Sequence, residues 1–323
     1  MDHDLPPVLS LDIGGTKLAA GVVTGDGRVH GWQYAPTRRE EGPRRVLARL
    51  FDLGRKAVAE AGPPEVAAVG ISCGGPLDSA AGVLECPPHL PGWIDVPVGA
   101  MAADAFGIPS VLENDATAAA LGEFRYGAGR GTRTMLYLTL STGVGGGAVI
   151  DGRLHRGAAG NGGELGHVTV RPGGRRCSCG RHGCLEAYAS GTSIAERARE
   201  ALARHGGGSV PAGIGRMTAE DVTRAAAAGD PLAVAVWDET VQALATGLTD
   251  LVNVFEPELV VLGGGVTRAG AMLLDPVAAA VARDAMPPAA RAARVELSRL
   301  GARVCVVGAG AVAHDLVSGM THA

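Results

Sequence analysis

A chain of 323 residues is long enough for one large domain or two of ordinary size, and it can bury a core without disulfides. Its net charge of −4, with both signs interspersed, predicts no avidity for phosphate backbones or anionic lipid, so nucleic acid and membrane are not expected partners. The opening "MDHDLPPVLSLDIGG" is acidic and broken by prolines where a secretory signal would be basic and then apolar. No apolar run approaches the ~18 residues that span a bilayer, and a cytoplasmic protein is expected. In a reducing compartment the six cysteines are metal ligands or buried thiols rather than a disulfide framework. The excess of alanine and glycine reads as compositional bias.

Residues 8–13, "VLSLDI", form an apolar run that ends in Gly-Gly, and "KLAAGVVTGDGRV" follows: strand, glycine turn, strand, then a Gly-Asp-Gly reverse turn. "RRVLARLFDLGRKAVAEAG" (44–62) has helical spacing and a terminal glycine, and "VAAVGIS" (66–72) is a buried type of strand entering the turn-rich "CGGPLDSAAG". "NDATAAALGEFRYGAG", from 114, starts a helix with Asn-Asp and ends it at glycine. "MLYLTLSTGVGGGAVIDGRL" (135–154) then repeats the grammar of the N-terminus, which predicts a diverged internal duplication and two related sheets. Helices are expected over 192–205 and 231–255, a surface loop over 204–215, and a strand in "PELVVLGGGV" (257–266) that runs into three glycines. Cys305, inside "RVCVVGAGAV", reads as a small buried hydrophobe. The alternation of strands and helices predicts an α/β fold with mostly parallel central strands.

Two of the glycine turns suit phosphate. In "DIGGTK", backbone N–H groups of Gly14 and Gly15 have no Cβ in the way, Thr16 adds a hydroxyl and Lys17 a charge. Asp12, at the strand end, could hold Mg²⁺ through water, because that ion dehydrates reluctantly. "STGVGGG" (141–147) is a second turn of this kind, led by Thr142 and Gly143. Neither has the P-loop or the dinucleotide spacing. A pair of them in duplicated units predicts a nucleotide in a cleft between two lobes.

"VLENDATAAALGE" places Asn114 and Asp115 where a strand gives way to a helix. Capping is the bland reading of that position; a general base at Asp115, with Asn114 holding substrate, is the sharper one, and the two are compatible. A helix N-terminus favours the ionised carboxylate and so makes a weak base. That suffices for phosphoryl transfer, whose loose transition state takes the proton from the attacking hydroxyl late.

"HVTVRPGGRRCSCGRHGCLE" gathers His167, Cys177, Cys179 and Cys184. Three thiolates and an imidazole make a closed tetrahedral zinc site of the structural type, with no open position for water. His182 is a rival fourth ligand; His167 is favoured because four ligands within eight residues are cramped, while His167 clips two segments together. A redox role is disfavoured because Cys-x-Cys lacks the Cys-x-x-Cys spacing. Glu164 and Glu186 bracket the cluster, so the metal would hold two carboxylates at one place, and carboxylates accept hydrogen bonds from sugar hydroxyls well.

These motifs, "LDIGGTK", "ENDA", "STGVGGG", "GGELGH", "CSCGRHGCLE" and "LVVLGGG", resemble in order and spacing those of the ROK family (repressor, open reading frame, kinase), from about residue 8 to the C-terminus. The resemblance implies an actin-like ATPase fold of two ribonuclease-H-like lobes around a cleft. Residues 1–115 would form the first lobe, completed by a C-terminal helix at about 308–323, and residues 116–307 the second. It implies ATP- and Mg²⁺-dependent phosphorylation of a hexose at its 6-hydroxyl, with glucose as the expected acceptor and N-acetylmannosamine or N-acetylglucosamine as alternatives, in a homodimer or dimer of dimers. Asp115 would be the base. Gly75, Asn114, Asp115, Glu164, His167 and Glu186 would contact sugar; Asp12, Gly14, Gly15, Thr16, Lys17, Thr142 and Gly143 the phosphate side; Gly264 and Gly265 the adenosine. His167 would both bind zinc and touch sugar. Two departures stand out: "SCGGPLD" puts Cys73 and Gly74 where many members have Pro-Gly-Pro, and His89 in "PPHLPGW" stands where asparagine is frequent. Repressor members carry a helix-turn-helix before the first lobe, and with Asp12 already in the first phosphate turn a sugar-sensing regulator is not the expectation.

Overall fold

The protein is described from a computed structural model over residues 5–205 and 217–319. The loop expected at 204–215 lies, apart from its first two residues, outside the described residues. β1 (Val8–Ile13) and β2 (Lys17–Val23) form the N-terminal hairpin, and β3 (Val29–Pro36) follows the Gly-Asp-Gly turn, where Gly27 takes a positive φ of 82°. α1 (Pro43–Ala61) opens on proline, whose missing N–H costs nothing at that position, and packs Val46, Leu47, Leu50 and Ala57 onto these strands. β4 (Val69–Cys73) leads to a short hairpin, β5 (Leu77–Asp78) and β6 (Val83–Leu84). α2 (Val98–Phe106), β7 (Ser110–Asn114) and α3 (Asp115–Tyr126) follow.

The second half restarts with β8 (Met135–Leu140), β9 (Val144–Ile150) and β10 (Arg153–Leu154). The β9–β10 turn is Asp151–Gly152, both at positive φ (50° and 79°), as a two-residue hairpin turn requires. α4 (Glu186–Ala189), α5 (Gly191–His205), α6 (Ala219–Ala227) and α7 (Pro231–Phe255) come next. β11 (Leu259–Gly263), α8 (Ala271–Asp284), α9 (Pro287–Ala292), β12 (Arg294–Leu297) and α10 (Val304–Ser318) complete the chain. Among the described residues no helix is long and apolar enough to cross a membrane.

The sheet orders are β3-β2-β1-β4-β7 and β10-β9-β8-β11-β12. Each has an antiparallel hairpin on one side and two parallel strands on the other, so position for position they are one design used twice, which is the duplication expected from the repeated grammar. α10 lies on β1 and β4 of the first sheet, α3 lies on β8 and β9 of the second, and the two helices pack against each other between the sheets.

Small residues make that stack possible, and here composition misleads. A Cβ at Gly70 on β4 would fall 1.9 Å from the Ala309 carbonyl oxygen of α10. One at Gly308 would fall 2.3 Å from the Ala118 carbonyl oxygen of α3, and one at Gly147 on β9 would fall 2.7 Å from Ala120 Cβ. Sheet, helix, helix and sheet therefore approach backbone to backbone. Glycines that look like bias in the sequence are contact points, because real Cβ atoms essentially never come that close to a carbonyl.

Candidate active site

Parallel strands end together, and ligands of open α/β sheets bind beyond their carboxyl ends. In the first sheet Asp12 pairs with Ser72 and Ser72 with Glu113, while Ile13, Cys73 and Asn114 follow in register. Asp12, the Gly14–Thr16 turn, the Gly74–Gly75 turn and the Asn114–Asp115 junction thus share one edge. In the second sheet Thr139 pairs with Gly263, so the Ser141–Gly143 turn lies beside Gly264. Gly264 has a φ of 87°, and a Cβ there would fall 2.4 Å from Leu140 O, so only glycine fits.

The first glycine turn is rigidly braced. Gly14 N donates to Lys17 O at 3.0 Å, and buried Thr37 donates its hydroxyl to Gly14 O at 2.6 Å and its amide to Thr16 O at 3.0 Å. Thr16 is exposed at the turn's tip. The Lys17 ammonium rests over the Trp32 and Tyr34 rings, 5.1 and 5.2 Å from their centroids, and its charge still acts to lower the Asp12 carboxyl.

Asp12 accepts the Ser72 hydroxyl at 2.8 Å and forms no ion pair among the described residues. Burial pushes its carboxyl up to about 7, opposed by the Ser72 hydrogen bond and reinforced by nearby Asp115. A carboxylate at a strand end offers the hard oxygen ligand that Mg²⁺ takes, directly or through water, so the residue fits that ion.

At the β7–α3 junction the work is divided between neighbours. Asn114 is the cap: its side-chain oxygen accepts Ala116 N at 3.0 Å and Thr117 N at 3.2 Å. Its amide nitrogen is left near Gly75, whose Cβ would be 3.6 Å away. Asp115 is the first helical residue and accepts Ala116 N at 2.8 Å. The expectation of a low, helix-favoured carboxylate does not hold for it. Burial raises its pKa and outweighs the helix amide and the field of His89. A raised carboxylate is the stronger base, while some solvent access leaves it reachable.

Around the cysteines, the donor atoms of His167, Cys177, Cys179 and Cys184 all lie within 4.8 Å of one another. Cys177 Sγ is 3.6 Å from His167 Nδ1, and Cys179 Sγ is 3.8 Å from Cys184 Sγ. A tetrahedral zinc with ordinary bond lengths has S···N and S···S edges of about 3.6 and about 3.8 Å, so the residues present fit the ion. His182 takes no part; its Nδ1 pairs with Gly174 O at 3.0 Å. With Nδ1 toward the sulfurs, His167 turns Nε2 outward to Glu164, 3.7 Å from Oε2.

Glu186 ties the cluster to the second glycine turn. Its Oε1 accepts the Ser178 hydroxyl at 2.6 Å and lies 3.5 Å from Cys177 Sγ, while Oε2 accepts Val144 N at 3.0 Å. The His167 segment reaches Val144 as well, since a Cβ at Gly166 would fall 1.9 Å from Val144 O. The next residue, Gly145, abuts Ala116: a Cβ on it would be 2.9 Å from Ala116 Cβ. A chain of contacts therefore runs from Asp115 through Ala116, Gly145 and Val144 to the Glu186 carboxylate and Gly166. Glu164 is half exposed and touches this group only through His167.

Sequence reasoning missed three residues. Ser72, a hydroxyl at a strand end in "ISCGG", was legible as a polar residue in a buried run. Thr37 and Arg156 carry no local signal; Arg156 reaches Glu113, forty-three residues earlier, at 2.9 Å.

The comparisons with known proteins bear on this cleft. A family model described as "ROK family" matches residues 8–316. A glucokinase of Thermotoga maritima is 36% identical over 316 residues, covering 97% of this chain and 98% of that one. The solved ROK hexokinase of Thermus thermophilus is 38% identical with a TM-score of 0.83, over 97% of this chain and 99% of that chain. A ROK family glucokinase of Streptomyces griseus, solved in complex with glucose and AMPPNP, is 34% identical with a TM-score of 0.79, over 96% and 99% of the two chains.

Proposed function

The chain belongs to the ROK family, and on that premise we propose that it is an ATP-dependent hexose kinase that phosphorylates the 6-hydroxyl of glucose. One observation carries the reading: Asp115 is a carboxylate with raised pKa and no ion pair among the described residues, set at the strand-end edge that carries the first glycine turn, while its neighbour Ala116 packs against Gly145 of the second glycine segment.

The chemistry follows from these groups. Amides of Gly14 and Gly15 with the Thr16 hydroxyl on one side, and Thr142 with Gly143 on the other, receive the phosphate oxygens, with Gly264 and Gly265 lining the nucleotide side. Gly75, the Asn114 amide, Glu164, His167 Nε2 and Glu186 receive the sugar hydroxyls. Asp115 accepts the proton of the 6-hydroxyl as its oxygen bonds to the γ-phosphorus and the bond from phosphorus to the leaving ADP oxygen breaks. Alignment of the two oxygens supplies most of the acceleration, and the proton moves late.

Two ions belong to this reading. Asp12 would hold Mg²⁺ through water, where it would neutralise phosphate charge. His167, Cys177, Cys179 and Cys184 would hold a structural zinc that fixes the Glu164 and Glu186 segments. The packing of α10 on β1 and β4 supports a first lobe of residues 1–115 completed near 308–323, with 116–307 as the second. Family resemblance alone supports a homodimer or dimer of dimers.

The test is ADP release measured over glucose, mannose, fructose, allose and the N-acetylhexosamines with ATP. Glucose is expected to give the highest kcat/KM. An N-acetylhexosamine ahead of glucose would reassign the acceptor, and no sugar-dependent ADP would overturn the kinase.

A further inference from the structure

The two departures from the family's motifs, Cys73–Gly74 and His89, fifteen residues apart at the nearest in sequence, meet in space. His89 sits in the 87–93 turn, which is anchored by buried Pro87 before it and buried Leu90 and Trp93 after it, and closed by Leu90 N to Pro87 O at 2.9 Å and Trp93 N to Leu90 O at 3.2 Å. From that anchored turn its side chain enters the cleft between the two turns of the first lobe. On one side a Cβ at Gly15 would lie 3.2 Å from His89 Cβ and 3.5 Å from Cδ2. On the other, a Cβ at Gly74 would lie 2.7 Å from Cε1 and 3.4 Å from both ring nitrogens, and these ring atoms are its three nearest neighbours. The floor is Cys73, whose Sγ is 3.9 Å from Nε2. Arg39 donates to the His89 carbonyl at 3.3 Å and closes the outer side.

We propose that His89 is a positioning residue that couples the sugar turn to the phosphate turn, its ring filling the space that Gly15 and Gly74 leave open. Neither glycine has a positive φ, so at both positions the absence of a side chain serves space rather than backbone conformation. The imidazole is a rigid plate held by an anchored turn. A ligand that fixes one turn therefore fixes the ring, and the ring fixes the other turn. Sugar and nucleotide then bind with positive coupling through His89.

The proposal rests on the kinase reading for its probes, glucose and AMPPNP. The measured quantity is the ratio of glucose Kd without and with saturating AMPPNP, by calorimetry on the zinc-loaded full chain. The unsubstituted protein is expected to give a ratio of about fivefold or more. His89→Ala is expected to bring it within about twofold of unity. Gly74→Ala, whose added methyl pushes the ring aside, is expected to lower the ratio in the parent and to have no further effect in the His89→Ala background, the non-additivity of two residues in contact. A merely structural role for His89 would shift both affinities and leave their ratio. Should His89→Ala not fold, Gly74→Ala alone decides: a lowered ratio supports the coupling and an unchanged one overturns it. A parent that binds both probes without coupling overturns this proposal alone. A parent that binds neither overturns the kinase reading and this proposal with it.

Discussion

Glu113 and Arg156 link the two sheets: the guanidinium Nε donates to Glu113 Oε2 at 2.9 Å, from a loop two residues beyond β10 to the end of β7. The other oxygen, Oε1, accepts Asn114 N at 3.0 Å, so the residue that makes this link also steadies the one that caps α3. Glu113 is buried and Arg156 partly exposed. Such a pair adds little over an apolar contact, but breaking one half leaves a buried charge alone.

Arg156→Met is therefore expected to cost about 3 kcal/mol of stability at neutral pH. Burial already holds the Glu113 carboxyl above its usual range, against the pull of Arg156, and removal of Arg156 raises it further. The folded variant then keeps a proton that the unfolded chain gives up, so its stability falls as pH rises through the folded pKa. Urea unfolding should show a gap from the parent that is widest near about pH 8 and narrower near about pH 5. A gap that widens toward acid would contradict the assignment.

Asp115→Asn preserves volume and removes the base. Turnover is expected to fall about a thousandfold, while glucose affinity stays within about threefold. Coupled ADP release and calorimetry separate the two. Surviving turnover would show that another group takes the proton.

The pH profile carries the same claim in another form. Asp115 must be ionised to work, and burial raises its pKa above the ordinary aspartate value. The value of kcat/KM should fall as pH drops through that raised pKa, by about tenfold per pH unit below it. A flat acid limb down to the ordinary aspartate range would place Asp115 outside the chemistry.

Removal of the proposed zinc separates scaffold from chemistry. A strong chelator, or Cys179→Ser, is expected to weaken glucose binding by at least about tenfold and nucleotide binding by less. The direction follows from Glu186, which spans Ser178 in the cysteine loop and Val144 beside the glycine turn. Equal losses for both ligands would point to general unfolding, and unchanged glucose binding would dismiss the scaffold.

How much of this was legible in sequence depends on separation along the chain. The cysteine cluster and its bracketing carboxylates fall within residues 164–186, so spacing alone told which donors could meet. The glycine turns were legible for the same reason. Asp12 with Ser72, Glu113 with Arg156, and Cys73 with His89 are brought together by sheet register and loop packing, which no local pattern encodes. The upward shift of the Asp115 carboxyl was not legible because the helix terminus is local and visible in sequence, whereas burial is a property of the folded chain. Glycines 70 and 308 read as bias for a like reason, since each answers to a backbone far away in sequence.

Carbon and phosphorus NMR of a reaction with ATP and glucose labelled at C6 tests the central claim most directly. The account predicts a phosphorus coupling on C6 and one ADP formed for each sugar phosphorylated. Phosphate on another oxygen, or ATP consumed with the sugar unchanged, would contradict it.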